Sequence, residues 1–259
     1  MAILERMKIL ENRILHSCNE IYSDQLHRPF PLVLVNNQVL EINLVPKKTC
    51  PGDCVYCPYK ATTRKTVDRE HFYPVNKVLN EIGRHLHKDK MIEQIIISGF
   101  GEPALNADVH QIIHNIKNLI TKPITINSCG SLLWRESVRH DLLCADCVHI
   151  NIDAAEKSVF KNVNRFLLMV PFSRYLDGMI TFRQRFKGKF VINVTLLEGL
   201  NTNENHLQRL STLIKHLDPT MVNIKTFSDD TGTINFRVDK QKIEDFASYF
   251  GNIAFVKGS

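Results

Sequence analysis

The spacing of apolar residues along the chain switches repeatedly between a helical and an extended period. Over 3–22 the apolar positions Ile3, Leu4, Met7, Leu10, Ile14, Cys18 and Ile21 recur on one face, which predicts an amphipathic helix. Apolar runs at 32–35 and 39–45 flank Asn36 and Asn37; asparagine tolerates left-handed backbone, so the pair predicts a hairpin. From Pro74 onward an alternation sets in. Helices are expected over 75–86, 109–119, 137–143, 172–186, 204–217 and 240–250. Between them, short apolar runs predict strands at 95–97, 124–126, 148–152, 190–197 and 222–224, with a closing strand at 253–256.

Strands separated by helices imply βαβ units and a parallel sheet. Counting the strand at 39–45, the pattern gives about six units, too few for a closed eightfold barrel. The expected fold is therefore α/β: a partial, open TIM-type barrel with a helical N-terminal extension. No linker or low-complexity tract divides the chain. A single domain over 1–259 is expected, with an extension at 1–30, a core at 31–227 and a C-terminal β/α cap at 228–259. Ligands of such sheets sit at the carboxyl ends of the strands, so the residues just after each apolar run are the ones to read.

Composition narrows the class without naming it. The chain is 44% hydrophobic and 23% charged, as expected of a globular domain, and no apolar run approaches the ~18 residues of a membrane span. The first residues lack the pattern of a signal peptide. Seven irregularly spaced cysteines read as metal ligands or buried thiols rather than a disulfide framework, so a cytoplasmic location is expected. The net charge is +6, and the stretch from Pro46 to Glu70 holds six Lys/Arg against three Asp/Glu. That bias permits an anionic partner without requiring one.

The chemistry concentrates at Cys50, Cys54 and Cys57, three thiols within eight residues. Pro51 and Gly52 bend the first gap so that the sulfurs converge. Structural zinc takes four closed ligands. Three thiolates on one loop hold three irons of a [4Fe-4S] cube and leave the fourth open. A zinc site completed by a histidine or by the Cys144–Cys147 hook is the competing reading, and it makes the chain a non-enzymatic nucleic-acid-binding module. Cys18, Cys129 and Cys147 read as ordinary core thiols, although Cys129 lies at a strand end from which it could face the site.

The Cys-x-x-x-Cys-x-x-Cys spacing, with Tyr56 before the last cysteine, resembles the signature of the radical S-adenosylmethionine (SAM) enzymes. The resemblance implies that Cys50, Cys54 and Cys57 ligate a [4Fe-4S] cluster. It also implies that S-adenosyl-L-methionine chelates the open iron and, on reductive cleavage, gives a radical that abstracts hydrogen from a substrate. It places Tyr56 against the adenine. Gly99, Gly101, Glu102 and Pro103 correspond to the family's Gly-Gly-Glu loop, with Phe100 in place of the middle glycine. Asn127 and Ser128, after the next strand, match polar SAM contacts. Asp153 matches a ribose ligand, its bland alternative being a helix N-cap. Arg165 matches the arginine that pairs with the SAM carboxylate. The segment closing the fifth strand, Glu198 to Asn201, brushes the adenine in many members.

Further words of the sequence, among them Asn43-Leu44-Val45-Pro46, Thr62-Thr63 and Ser131-Leu132-Leu133, resemble the wyosine-synthase-related group over roughly 40–256. Wyosine synthases act on a guanosine of tRNA and carry a second cluster built from upstream cysteines; here only Cys18 lies upstream. The implied substrate is a tRNA base or nucleotide, with Arg64, Lys65 and Arg69 as its phosphate contacts. A protein or peptide substrate is the alternative. The implied electron donor is an external flavodoxin or ferredoxin.

Overall fold

The computed structural model describes residues 32–36, 38–89, 91–228 and 235–256. The helix expected over 3–22 lies outside the described residues. The expected hairpin forms: β1 (Leu32–Asn36) runs antiparallel to β2 (Val39–Asn43), with Asn36 opposite Val39. Its left-handed position is Gln38, at φ 69°. Two short strands, β3 (Thr49–Cys50) and β4 (Arg64–Lys65), pair in parallel and bracket the cysteine loop.

The main sheet then builds outward from β2. In order come β5 (Gln94–Ser98), β6 (Ile124–Ser128), β7 (Cys147–Asn151), β8 (Lys189–Leu196) and β9 (Met221–Ser228), each parallel to the one before. Beyond β9 lie β10 (Asn235–Phe236), antiparallel, and β11 (Ala254–Val256), parallel. Among the described residues the two edges do not pair, so the barrel is partial and open. The connecting helices are α1 (Val75–Lys88), α2 (Val109–Leu119), α3 (Glu136–Leu142), α4 (Lys157–Val163), α5 (Phe172–Arg185), α6 (Glu204–His216) and α7 (Lys240–Ser248). None is long and apolar enough to cross a membrane.

Side-chain alternation sorts the sheet into two unlike faces. Ile42, Ile97, Ile126, Ile150, Ile192 and Ile224 point to the helices and join one core with Met179 and Phe182 of α5 and Leu210 and Ile214 of α6. Each such side chain contributes about 1.5–3 kcal/mol on burial. The opposite, concave face is mixed, with Val39, Ile96, Cys147, Val191 and Met221 buried on it among polar side chains. Gln94 Nε2 donates to Thr125 Oγ1 at 2.7 Å, and Ser98 Oγ donates to the Glu41 carboxylate. An amide row crosses three strands there: Asn223 Nδ2 donates to Asn193 Oδ1 at 2.9 Å, and Asn193 Nδ2 donates to Asn151 Oδ1 at 3.2 Å.

The helical layer contains one titratable misfit. His206, in the first turn of α6, is 0% exposed, and neither ring nitrogen has a hydrogen-bond partner. The Glu156 carboxylate lies 3.6 Å away, too far for a hydrogen bond. Burial holds its proton affinity below the ordinary 6.5, opposed by Glu156. Below pH ~6.5 the unfolded chain takes up a proton that the folded chain refuses, so stability falls as the solution is acidified through this range. His206→Leu removes this proton linkage. Denaturant titrations between about pH 5 and 7.5 should show a flatter stability profile for the variant than for the parent.

Candidate functional site

The cysteine loop is folded over the carboxyl ends of the strands and fastened at both sides. Thr62 closes it, its N–H donating to Asp53 Oδ1 and its hydroxyl to the Gly52 carbonyl, both at 2.7 Å. Its far side docks on the last residue of α4 and the residues that follow it. Asp53 N–H donates to Asn164 O at 3.1 Å, Val55 N–H to Val163 O at 3.0 Å, and Leu167 N–H to Pro51 O at 3.0 Å. Glycine is required at 52 because a Cβ there would sit 2.6 Å from the Phe166 ring and 2.7 Å from Asn164 O.

Each of the three sulfurs has its own polar partner. Cys54 Sγ lies 3.5 Å from Asn164 O and 3.8 Å from Asn164 Nδ2. Lys48 Nζ donates to Cys57 Sγ at 2.9 Å. The Cys129 thiol hydrogen-bonds Cys50 and holds its proton affinity below the ordinary thiol value, against burial, while burial pushes Cys54 well up. These are free thiols, standing in for the thiolates a cluster would bind.

Cys129 is thus a fourth thiol beside the loop, in keeping with its strand-end position facing the site. Its sulfur also lies 3.0 Å from Ser131 Oγ. With a three-thiolate cluster, Cys129→Ala should keep about four irons per chain after anaerobic reconstitution. Loss of iron in that variant would mean that a protein ligand closes the fourth corner.

At the ends of β5 and β6 the residues Gly99 to Pro103 and Asn127 to Cys129 are tied together by one carboxylate. Glu102, 2% exposed, accepts from Ala104 N–H at 3.0 Å, Ser128 Oγ at 2.7 Å and Cys129 N–H at 2.7 Å. It caps the short 3-10 turn Pro103–Leu105. Ser128 is a link in this network rather than a free hydroxyl, since it also accepts from Gly130 N–H at 3.0 Å. The open donor and acceptor positions lie beside it. Asn127 Oδ1 is buried without a partner, and so are both polar atoms of Asn43, which is 2% exposed. Gly99, at φ 122°, leaves room for Asn43, whose Oδ1 would stand 2.2 Å from any Cβ there.

Asp153 does not cap a helix. The helix that follows, α4, begins at Lys157, with Glu156 at its N-cap. The Asp153 carboxylate is instead a buried junction, 1% exposed. It accepts from Thr195 N–H at 2.8 Å, from Asn164 Nδ2 at 3.1 Å and from the Tyr56 hydroxyl. Burial pushes its carboxyl above the ordinary range, and these three donors oppose that shift. Tyr56, 7% exposed, is thereby tied by its hydroxyl to the end of β7.

The basic residues are distributed differently from the expectation of a phosphate site. Arg69 donates to Ala104 O at 3.0 Å, to Asn106 O at 2.9 Å and to the Asp141 carboxylate, so it braces the helical layer. Arg64 is exposed but paired with Glu70. Lys65 is exposed, and Arg165 is exposed at φ 49°. A basic residue near unpaired carbonyls and a carboxylate takes them in preference to water, which the charge count alone does not reveal.

A second group of ligand-type atoms, on His110, His140 and Asp141, lies within 4.8 Å on the helical layer. The two imidazoles are stacked at 4.8 Å and 21°, so their in-plane lone pairs run side by side instead of converging on one ion.

The donor set of the loop fits an iron–sulfur cube, and the orphaned amides of Asn43 and Asn127 fit a polar ligand beside it. Lys48, Asn43 and Asn164 are not among the site residues expected from the sequence, although Asn43 opens the Asn43-Leu44-Val45-Pro46 stretch. Asn43 ends β2, so applying the strand-end rule to the entry strand would have found it. Lys48 carried no signal beyond its charge.

The chain matches the Radical SAM superfamily over residues 44–211 and belongs to it. Its members are enzymes that hold a [4Fe-4S] cluster and SAM. Membership in an enzyme superfamily displaces the zinc-module reading. Among curated relatives, it is 29% identical over 212 residues to a protein named GTPase Obg of Brachyspira hyodysenteriae, covering 82% of this chain and 31% of that protein. It is 29% identical over 189 residues to a UPF0026 protein of Methanocaldococcus jannaschii, covering 72% and 59%. The dual-specificity RNA methyltransferase RlmN of Xanthomonas axonopodis pv. citri is 23% identical over 199 residues, covering 72% and 47%. The chain thus spans about a third to three fifths of the length of these relatives. Two solved structures share the fold. Streptococcus suis SuiB bound to the precursor peptide SuiA matches at TM-score 0.64 and 15% identity, covering 84% of this chain and 48% of that one. TYW1 with a lysine-pyruvate adduct matches at TM-score 0.59 and 14% identity, covering 82% and 72%.

Proposed function

We propose that this radical SAM enzyme abstracts hydrogen from a nucleobase, in tRNA, another RNA or a nucleotide. The observation that carries the reading is the set of unpartnered amide atoms of Asn43 and Asn127, on the same sheet face as the amide row of Asn151, Asn193 and Asn223. Paired amide donors and acceptors are the groups that read base edges. The RNA-directed name of one relative supports the same class. When bound, the cluster and SAM supply reductive cleavage of a sulfonium and removal of a substrate hydrogen.

The chain's own residues position and shield that chemistry. Cys50, Cys54 and Cys57 hold the metal. Asn43 and Asn127 offer their unpartnered amide atoms to SAM or to the substrate above it. Tyr56, fixed by Asp153, forms a wall between loop and sheet. Glu102 locks the two strand-end loops that frame the ligand. Exposed Lys65 and Arg165 are the remaining phosphate or carboxylate contacts. The electron comes from an external reductant of the flavodoxin or ferredoxin type. A cytoplasmic setting is part of this reading.

The test is an isotope trace. Anaerobically reconstituted protein is reduced with dithionite in the presence of SAM and deuterated RNA or deuterated peptide. Deuterium should enter 5′-deoxyadenosine from the RNA. Transfer from peptide alone would assign a peptide substrate instead.

A further inference from the structure

Lys48 is placed as few lysines are. It is 3% exposed and sits at φ 56°, a left-handed conformation uncommon for a residue with a side chain. The backbone is fixed there from both ends, its N–H donating to Phe100 O at 2.9 Å and its carbonyl accepting from Arg64 N–H at 3.0 Å. The result is to turn the ammonium inward, where Nζ donates to Cys57 Sγ at 2.9 Å. Among the described residues this sulfur is its sole side-chain hydrogen-bond partner, and no carboxylate pairs with it. A buried cation without an anion is costly. Strain held in place by surrounding hydrogen bonds marks a functional constraint. The missing anion is supplied if Cys57 is a cluster thiolate.

We propose that Lys48 is a positioning residue that sets the reduction potential of the iron–sulfur site through its charge and its hydrogen bond to the Cys57 sulfur. The inference rests on the cluster reading above. A positive charge in a region of low dielectric favours the more negative, reduced state, and hydrogen bonds to ligand sulfur act in the same direction. One electron arrives from an external reductant such as dithionite. No bond at Lys48 is formed or broken.

Lys48→Met keeps the length of the stem and removes the charge; Lys48→Arg keeps the charge. All three full-length proteins are reconstituted anaerobically, assayed for iron and sulfide, and titrated under electron paramagnetic resonance. The midpoint potential should move to more negative values in Lys48→Met and stay closer to the parent's in Lys48→Arg. Failure of Lys48→Met to hold iron, with full loading of Lys48→Arg, would make the lysine a partner in cluster assembly and overturn the tuning role. An unchanged midpoint in a fully loaded Lys48→Met protein overturns the proposal, as does failure of both variants to load. If the parent itself cannot assemble a cluster, the reading of the site falls first, and this proposal with it.

Discussion

Cys54→Ala should reduce the iron content after anaerobic reconstitution from about four atoms per chain to near zero, and abolish SAM cleavage. Two remaining thiolates cannot fix three irons of a cube. Cys54 is half-buried and its sulfur faces Asn164, so its loss leaves a small gap and no stranded charge. Thermal unfolding of the iron-free variant should therefore stay within about 1–2 kcal/mol of the iron-free parent. The contrast is the useful result: a lost metal site in an intact fold. Retention of full cluster absorbance would remove Cys54 from the ligand set.

Asp153→Ala should act the other way, through the fold. The alanine strands three buried donors: Thr195 N–H, Asn164 Nδ2 and the Tyr56 hydroxyl. At about 1–3 kcal/mol for each unsatisfied group, less relaxation, the cost is roughly 3–5 kcal/mol in denaturant unfolding. The effect reaches the metal too, because Tyr56 lies between two of the cysteines and Asn164 carries Cys54 and Asp53. Iron loading should fall even where the protein remains folded. A variant as stable as the parent would show that water replaces the carboxylate without loss.

Much of this architecture is legible in the chain because helix and sheet periods differ. Ile95, Ile124, Val148 and Ile192 mark strands, and α1, α2, α5, α6 and α7 follow from one-sided apolar spacing. What escaped had too few repeats or the wrong polarity. Of the two seven-residue helices, α3 is expected from the sequence and α4 is not, and β9 continues through Lys225 to Ser228, where polar residues mask it. The three-cysteine motif and the strand-end rule located the candidate site. They did not separate groups that face a ligand from groups that hold the frame. Glu102, Asp153 and Ser128 are engaged by protein partners, whereas Asn43, one residue in a hydrophobic stretch, is not. That distinction depends on contacts between residues far apart in sequence. Arg69 and Asp141, 72 positions apart, are an example.

The docking of the cysteine loop on the end of α4 and the residues after it has a consequence for biogenesis. Cys54 and Asn164 are separated by 110 positions, and the loop's outer backbone hydrogen bonds all cross that gap. A nascent chain that has emerged only as far as β6 carries the three thiols without the surface that shapes them. Stable iron binding at this loop is therefore expected only after translation has passed residue 167 and the intervening strands have paired. Excised peptides bearing the motif should capture iron less tenaciously than the whole chain.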